Sequence, residues 1–447
     1  LFSLQDAIPA AKEDGYHGYA ARAGDVLASL RKIAAWKPDV LVPARGPVIR
    51  NPDAAIATLT ERMQAVFRSH FSIDALRWYR GDRRMRTMAE RVLGPLPVGW
   101  MPMTAQEKLP GWIIAITNSR LIVSRTGAGF LVDCGNQRVV DEVERLQREG
   151  TIKGLDGIYV THYHDDHTNL VQAMAEKFHC PVYSCREMRD ILEHPEAYRM
   201  PCLTPNAIRN VHAMDGGATQ RWNEFTFTYS YFPGQTIYHG GLVAARDGGQ
   251  SVFFVGDSFT PSGIDDYCLL NRNLFAPEPG FLQCLHTVQR MTGGYLLINQ
   301  HVPPPFRFSP QQTGLMIRTF EKQRDLVAAL VPWDDANFGV DEQWARFYPY
   351  TAEVTPGGRI ELRVMLVNHS PSPQEFRVTP HVPAGWKAPR GPLRVTIGPR
   401  QQGSVTIPVT TRGPGLKVVT ADVAFGPWDL REWTEAMITV SPPAVGN

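Results

Sequence analysis

Apolar and polar positions along this chain change rhythm twice. Between 112 and 330, short apolar runs alternate with amphipathic stretches, which predicts strands at 112–117, 121–125, 129–133 and 155–160 and a helix at 138–149. The run 224–232 (EFTFTYSYF) alternates polar and aromatic residues, as a half-buried strand does. Runs 242–246 and 251–255 flank Asp247-Gly248-Gly249 and read as a hairpin. Helices follow at 280–291 and 310–330. From about 350 the helical period disappears. Short β-rich runs at 360–367, 374–378, 393–397, 403–410, 416–424 and 436–440, separated by turn signals, predict a small β-sandwich over 350–442. The first 95 residues have a third texture. Residues 33–49 read as a helix end, a strand and a turn, and Asn51-Pro52-Asp53 opens a helix to about 71, because proline suits the first turn and aspartate the positive end of the helix dipole. Another helix runs through 80–91, and the proline- and methionine-rich stretch 96–111 reads as a linker.

Composition narrows the class. With 447 residues, 43% hydrophobic and 20% charged, the chain is long enough for two to four globular domains. No apolar run approaches a membrane span. Forty-six Lys+Arg against 44 Asp+Glu leaves a formal charge of +2, so no global field favours nucleic acid. The cluster Arg80, Arg83, Arg84, Arg86 and Arg91 reads as a solvated, ion-paired helix face. The chain starts at Leu1, which reads as a processed or truncated form. Six cysteines show no C-x-x-C spacing, and one disulfide among Cys180, Cys185 and Cys202 stays open.

The densest chemistry is Thr161-His162-Tyr163-His164-Asp165-Asp166-His167-Thr168, an H-x-H-x-D-H motif directly behind the strand at 155–160. Imidazole and carboxylate donors together suit zinc, and also iron or manganese. Four ligands within six positions cannot all reach one ion in good geometry, so two adjacent ions are implied. On an extended exit from the strand His162 and His164 face the same side and would share one ion. Asp166 and His167 follow at a turn and would face the second. Thr168 or Asn169 is positioned to cap the helix that comes next, whose apolar stripe is Leu170, Met174, Ala175 and Phe178.

In its order of motifs the chain resembles the metallo-β-lactamase superfamily, which includes glyoxalase II-like hydrolases. GFLVDCG at 129–135 resembles the family's early strand ending in a buried aspartate, Asp133; FPGQT at 232–236, SVFFVGD at 251–257 and LLINQH at 296–301 resemble its later ligand-bearing segments. The resemblance implies an αββα sandwich, an α/β (α+β) fold with two sheets face to face and helices outside, over a catalytic domain at 112–335. It implies that His162 and His164 bind one ion, that Asp166, His167 and His301 bind another, and that Asp257 bridges them. Where the family has histidine, this chain has Gln235; His239 is expected to take the vacant place. His179, His194, His212 and His286 sit singly and read as ordinary histidines, while His17, His70, His369 and His381 lie outside the matched region.

The resemblance extends to the ends of the chain. The strand, turn and helix of residues 1–95 resemble the closing quarter of the same fold, with Arg45 where the turn normally carries histidine; this implies the tail of a degenerate first copy that binds no metal. The β-sandwich resembles Ig-like domains appended to secreted hydrolases, which favours an extracytoplasmic or periplasmic location. The function implied is a hydrolase with two Zn2+ ions, iron or manganese being alternatives, using a dinuclear-metal-activated hydroxide on an ester, thioester, lactone or lactam-type bond. Asp166 and Asp257 are the catalytic carboxylates. The partner is a small-molecule substrate, with no nucleic acid and homo-oligomerisation left open. Phosphodiester cleavage, a di-iron redox protein and a non-catalytic binder are the alternatives.

Overall fold

The computed structural model describes residues 23–43, 47–266, 271–291 and 294–442. Arg45, Cys268 and the first 22 residues lie outside them, so the expectation for the Arg45 turn lies outside as well. The chain divides into two units, one of residues up to 193 with 206–340, the other of 194–205 with the residues from 341. The short excursion at 194–205 carries no sequence signal; Tyr350 N donates to Ala197 O at 2.9 Å within the second unit.

Among the described residues, the first unit opens with the helices α1 (Ala23–Ala35), α2 (Pro52–Ser72), α3 (Leu76–Arg80) and α4 (Asp82–Leu93). Two sheets follow. The first has strand order β1 (Ile113–Ile116), β2 (Ser119–Val123), β3 (Ala128–Val132), β4 (Gly154–Tyr159), β5 (Val182–Cys185), β6 (His212–Met214). The second has β7 (Thr219–Trp222), β8 (Phe225–Tyr231), β9 (Gly240–Arg246), β10 (Ser251–Phe254) and β13 (Tyr295–Ile298) in the order β13-β10-β9-β8-β7. Between β10 and β13 in sequence lie β11 (Phe259–Thr260) and β12 (Gly263–Ile264), which form a two-stranded sheet of their own. The alternation read at 224–232 is β8, whose Phe225, Phe227 and Tyr229 are buried. They meet Phe130 and Tyr159 of the first sheet in one core, so the two sheets pack face to face. Helices α5 (Gln137–Arg148), α6 (Val171–Phe178), α7 (Phe281–Met291) and α8 (Pro310–Ala328) complete the αββα arrangement. Strands β6 and β7 arise in a stretch read as loop, because three or four residues of mixed polarity carry no period of their own and pair only through their neighbours.

A second core joins α2, α4 and α8 to the outer face of the second sheet. Leu27, Phe67, Phe71, Met85, Val92, Phe253, Leu297, Phe306, Met316 and Phe320 belong to it. Helix α2 packs on α8. Both helices begin alike: Asn51 accepts from Ala54 N before Pro52, and Ser309 forms a capping box with Gln312 before Pro310. Cys180 and Cys185 are free thiols, so the disulfide left open among residues 180–202 does not form. Among the described residues no helix is long and apolar enough to cross a membrane.

The second unit is all β. A three-stranded sheet (β14, Ala345–Tyr348; β16, Arg359–Val367; β19, Gln402–Thr410) accompanies a five-stranded one (β15, Thr351–Val354; β17, Gln374–His381; β18, Leu393–Ile397; β20, Gly415–Phe425; β21, Trp428–Val440). Fully buried Trp344, just before β14, packs on Phe376 and Phe425 of the larger sheet.

Candidate metal centre

The site forms where strand ends of both sheets meet. Beyond β4 the chain stays extended through His164, then makes one helical turn, Asp165–Thr168. His162 pairs with His239, just ahead of β9, in an isolated antiparallel bridge. Asp257 follows β10 and His301 follows β13, which run parallel. Gly135 backs against the ligand turn so closely that a Cβ would collide with the Asp166 carbonyl, which is why glycine ends the 129–135 motif.

Three imidazoles converge on one oxygen. Asp257 Oδ2 lies 3.1 Å from His301 Nε2, 3.3 Å from His167 Nε2 and 3.8 Å from His162 Nε2. Asp166 Oδ2 lies 3.0 Å from His301 Nε2 and 3.5 Å from His167 Nε2. His164 Nδ1 lies 3.0 Å from His162 Nε2. Two groups of three have donor atoms close enough to share an ion, His162 with His167 and Asp257, and Asp166 with His167 and His301. His239 is fully buried and stacked on His162 at 5.0 Å, but its Nε2 faces Ser258 Oγ at 3.3 Å and its Nδ1 has no partner. All seven residues expected as ligands are therefore gathered, with His164 and His239 outside the two groups of three.

Hydrogen bonds on the far side of each ring decide which nitrogen faces inward. His167 Nδ1 donates to Asp133 Oδ2 at 3.0 Å, leaving Nε2 for the centre. Asp133 is already the acceptor for Thr161 N and Thr161 Oγ1, each at 2.7 Å, and for Gln300 Nε2 at 3.0 Å. Thr161 Oγ1, its proton committed to Asp133, accepts from His162 Nδ1 at 3.0 Å and leaves His162 Nε2 inward. His164 is turned the other way: its Nε2 faces Asn271 Oδ1 at 3.2 Å, which also accepts from Tyr163 Oη at 2.9 Å, so Nδ1 is the inward atom. Thr168 does not cap α6, because its hydroxyl donates to the carbonyls of Tyr163 and His164 and braces the ligand turn instead. Asn169 closes the short turn, and Leu170 precedes α6 with no side-chain cap.

The electrostatics fit a cation. Burial holds the His162 imidazole well below its usual range, helped by His167 and His164. Burial also lowers His164, and pushes His239 down to about 3. Burial opposes charge on His167 and His301 too, but the carboxylates overcome it: Asp166 and Asp257 raise His167, and Asp257 with Asp166 lifts His301 to about 10. In return, and against burial, Asp257 and Asp166 are held below the carboxylate range by the same two histidines. Asp257 Oδ1, Gln235 Oε1 and His239 Nδ1 are buried acceptors without a hydrogen-bond partner. Neutral His162 and His164, ionised carboxylates and orphaned acceptors are what divalent ions require, and the protons that Asp166 and Asp257 draw onto His167 and His301 are the ones an ion would displace.

Several supporting residues escape sequence reasoning. Asn118 donates to the Asp166 carbonyl and, at 3.2 Å, to its carboxylate. Arg120, wholly buried, donates to the carbonyls of Thr117, Ser119, Asn299 and Val302 and so ties β2 to the His301 turn. Asn299 Oδ1 accepts from His301 N at 2.6 Å. Gln300 was visible as the neighbour of His301; the others had no signal beyond their polarity within apolar runs.

Residues 114–292 match the family model of the Metallo-beta-lactamase superfamily, and the chain thus carries a domain of that superfamily. It is 29% identical over 98 residues to the hydroxyacylglutathione hydrolase of Marinomonas sp. (strain MWYL1), covering 22% of this chain and 38% of that one. It is 33% identical over 78 residues to the exodeoxyribonuclease YycJ of Bacillus anthracis, covering 17% and 30%. The matches thus span about a third of those two proteins' own lengths. Among solved structures, a subclass B3 metallo-beta-lactamase of Bradyrhizobium japonicum aligns at 16% identity over 50% of this chain and 98% of its own, with a TM-score of 0.35. A protein solved in a di-iron-bound form aligns at 20% identity over 48% and 98%, with a TM-score of 0.33.

Proposed function

We propose that this protein is a metal-dependent hydrolase with a dinuclear centre, acting on an ester, thioester, lactone or lactam-type bond. The observation that carries the reading is the convergence of His162, His167 and His301 on Asp257 Oδ2, with every inward nitrogen of the H-x-H-x-D-H motif selected by an outward hydrogen bond. His162 and His164, with His239 adjacent, would hold one ion; Asp166, His167 and His301 the other; Asp257 stands between them. Zinc suits this donor set, and so do iron and manganese. Two such ions supply a water whose pKa is lowered toward neutrality and a positive field for charge developing on the substrate oxygen. The chain's own residues do the rest. Asp133 and Thr161 fix the ligand rings, and Asn271 fixes His164. Asp166, part-exposed at the mouth, takes the proton of the attacking water at Oδ2 and passes it to the leaving group. Tyr238, half-buried and edge to face with the fully buried Tyr163, is the candidate substrate contact.

The same reading takes residues 1–95 as the tail of a degenerate copy of the domain and 350–442 as an Ig-like spacer. Two parallels support the first. Leu41 bridges Ile49 ahead of the Asn51-Pro52 helix start, as Leu297 bridges Phe306 ahead of Ser309-Pro310. Arg45 and His301 both stand four positions after the first bridging leucine. The test of function is metal content by mass spectrometry, then a panel of chromogenic esters, thioesters, lactones, β-lactams and phosphodiesters. Two ions per chain and turnover that is lost in both His162→Ala and Asp257→Ala support the proposal. Activity surviving in both variants would refute it.

A further inference from the structure

The loop leaving Asp257 is held by residues that lie outside the superfamily match. Between the end of α2 and α3, Ile73–Ala75 run beside β12: Ala75 N donates to Ile264 O at 2.9 Å and Ile264 N to Ile73 O at 2.7 Å. Ser262 Oγ donates to Asp74 O at 2.8 Å and accepts from Trp78 N at 3.1 Å. Thr260 Oγ1 donates to Ala75 O at 3.2 Å. Gly263, at φ +142°, approaches so closely that a Cβ would collide with the Ile73 carbonyl. His70, in the last turn of α2, pairs through Nδ1 with Asp266 Oδ2 at 3.0 Å. Thr260, Ser262 and Ile264 are no more than 1% exposed, and His70 and Asp74 are each 4% exposed. The far side of the same loop reaches the second ligand turn, where Asn299 Nδ2 donates to Phe259 O at 2.9 Å while Asn299 Oδ1 accepts from His301 N.

We propose that His70 is a positioning residue for the metal centre: with the 73–78 segment it clamps loop 257–266 and so fixes Asp257 relative to His301. Apolar packing alone would hold the helices against the sheet. The clamp instead consists of directed hydrogen bonds and a buried ion pair aimed at one loop, which begins with the bridging carboxylate. Burial opposes a proton on His70, but Asp266 and then Asp74 raise its affinity above the ordinary value. A shift of about 1 Å in a ligand so placed is enough to lower turnover by up to about a hundredfold.

The activity arm of the test rests on the hydrolase reading; the other two arms do not. Hydrogen exchange, zinc affinity by competition with a chromophoric chelator, and steady-state kinetics are measured on the full chain for His70→Ala, His70→Gln and Ser262→Ala. His70→Ala is expected to speed amide exchange in 258–266 by about tenfold or more, leaving β4 and β8 unchanged, and to weaken zinc binding about tenfold. Its kcat falls while KM stays within about twofold, and His70→Gln, which keeps a neutral donor, recovers most of the loss. Wild-type exchange in 258–266 together with wild-type zinc affinity would overturn the proposal. Where His70→Ala does not fold, Ser262→Ala decides: it must loosen the same amides, and unchanged exchange overturns the clamp. If no substrate is turned over, the hydrolase reading fails, and exchange and zinc affinity still judge the clamp.

Discussion

Two stretches of the first unit share one local grammar and differ in chemistry. In each, a leucine bridges an apolar residue further along the chain, a polar residue caps a helix with proline at its first position, and the helix enters the same core; those helices, α2 and α8, pack on each other. The turn after Leu297 carries His301, whose backbone is held by Asn299 and whose neighbouring carbonyls are held by Arg120. The stretch after Leu41 ends instead in a helix whose last turn, through His70, grips the loop behind Asp257. A strand, a turn and a capped helix are thus a general support.

The largest effect expected is at the liganded turn. His301→Ala should lower metal content and reduce turnover by at least about a hundredfold, while Ile49→Ala in the matching stretch should leave metal content unchanged. Equal metal loss in both variants would break the comparison. Next comes the shared core. Phe67, fully buried on α2, joins the cluster that includes Met316 and Phe320 of α8, so Phe67→Ala should cost about 3–5 kcal/mol in urea unfolding. A cost under about 1 kcal/mol would mean the helices do not stabilise one another.

A pH series probes the clamp side. Burial, then Asp266, raises the Asp74 carboxyl from its ordinary 3.8 to about 7. The folded chain keeps that proton to about 7, whereas the unfolded chain releases it near 3.8, so the folded state binds more protons in between. Asp74 therefore contributes its stability below pH 3.8 and loses it as pH rises to about 7. Asp74→Asn keeps an acceptor for Leu76 N and removes the titration. Its stability relative to wild type should improve by about 1–3 kcal/mol between pH 4 and 7. A difference that stays flat over this range would contradict the buried carboxyl. The smallest effects belong to the two caps: Asn51→Ala and Ser309→Ala should each cost about 1 kcal/mol, Ser309 the more because its bond is reciprocated by Gln312.

Much of the site was legible because its ligands follow strands whose apolar pattern is local. The H-x-H-x-D-H run behind β4 announces itself this way, while Asp257 behind β10 and His301 behind β13 were marked by the resemblance of their segments to the superfamily. His70 was dismissed as lying outside the matched region, and the structure places it in an ion pair with Asp266, 196 positions away. Asn271 meets His164 from 107 positions away and Arg120 meets Asn299 from 179. Composition and period contain no record of such pairs.

The amino-acid sequence by itself determined the main strands of the two sheets and the density of imidazole and carboxylate groups behind β4, since each follows from periodicity or from neighbours within a few residues, while Asp257 and His301 were legible through the resemblance of their segments to the superfamily. Tertiary packing decided which nitrogen of each imidazole faces inward, which carbonyls Arg120 satisfies and what holds the loop behind Asp257. Those outcomes depend on hydrogen bonds between residues brought together only when both sheets and the leading helices close on their cores, and no local pattern encodes them.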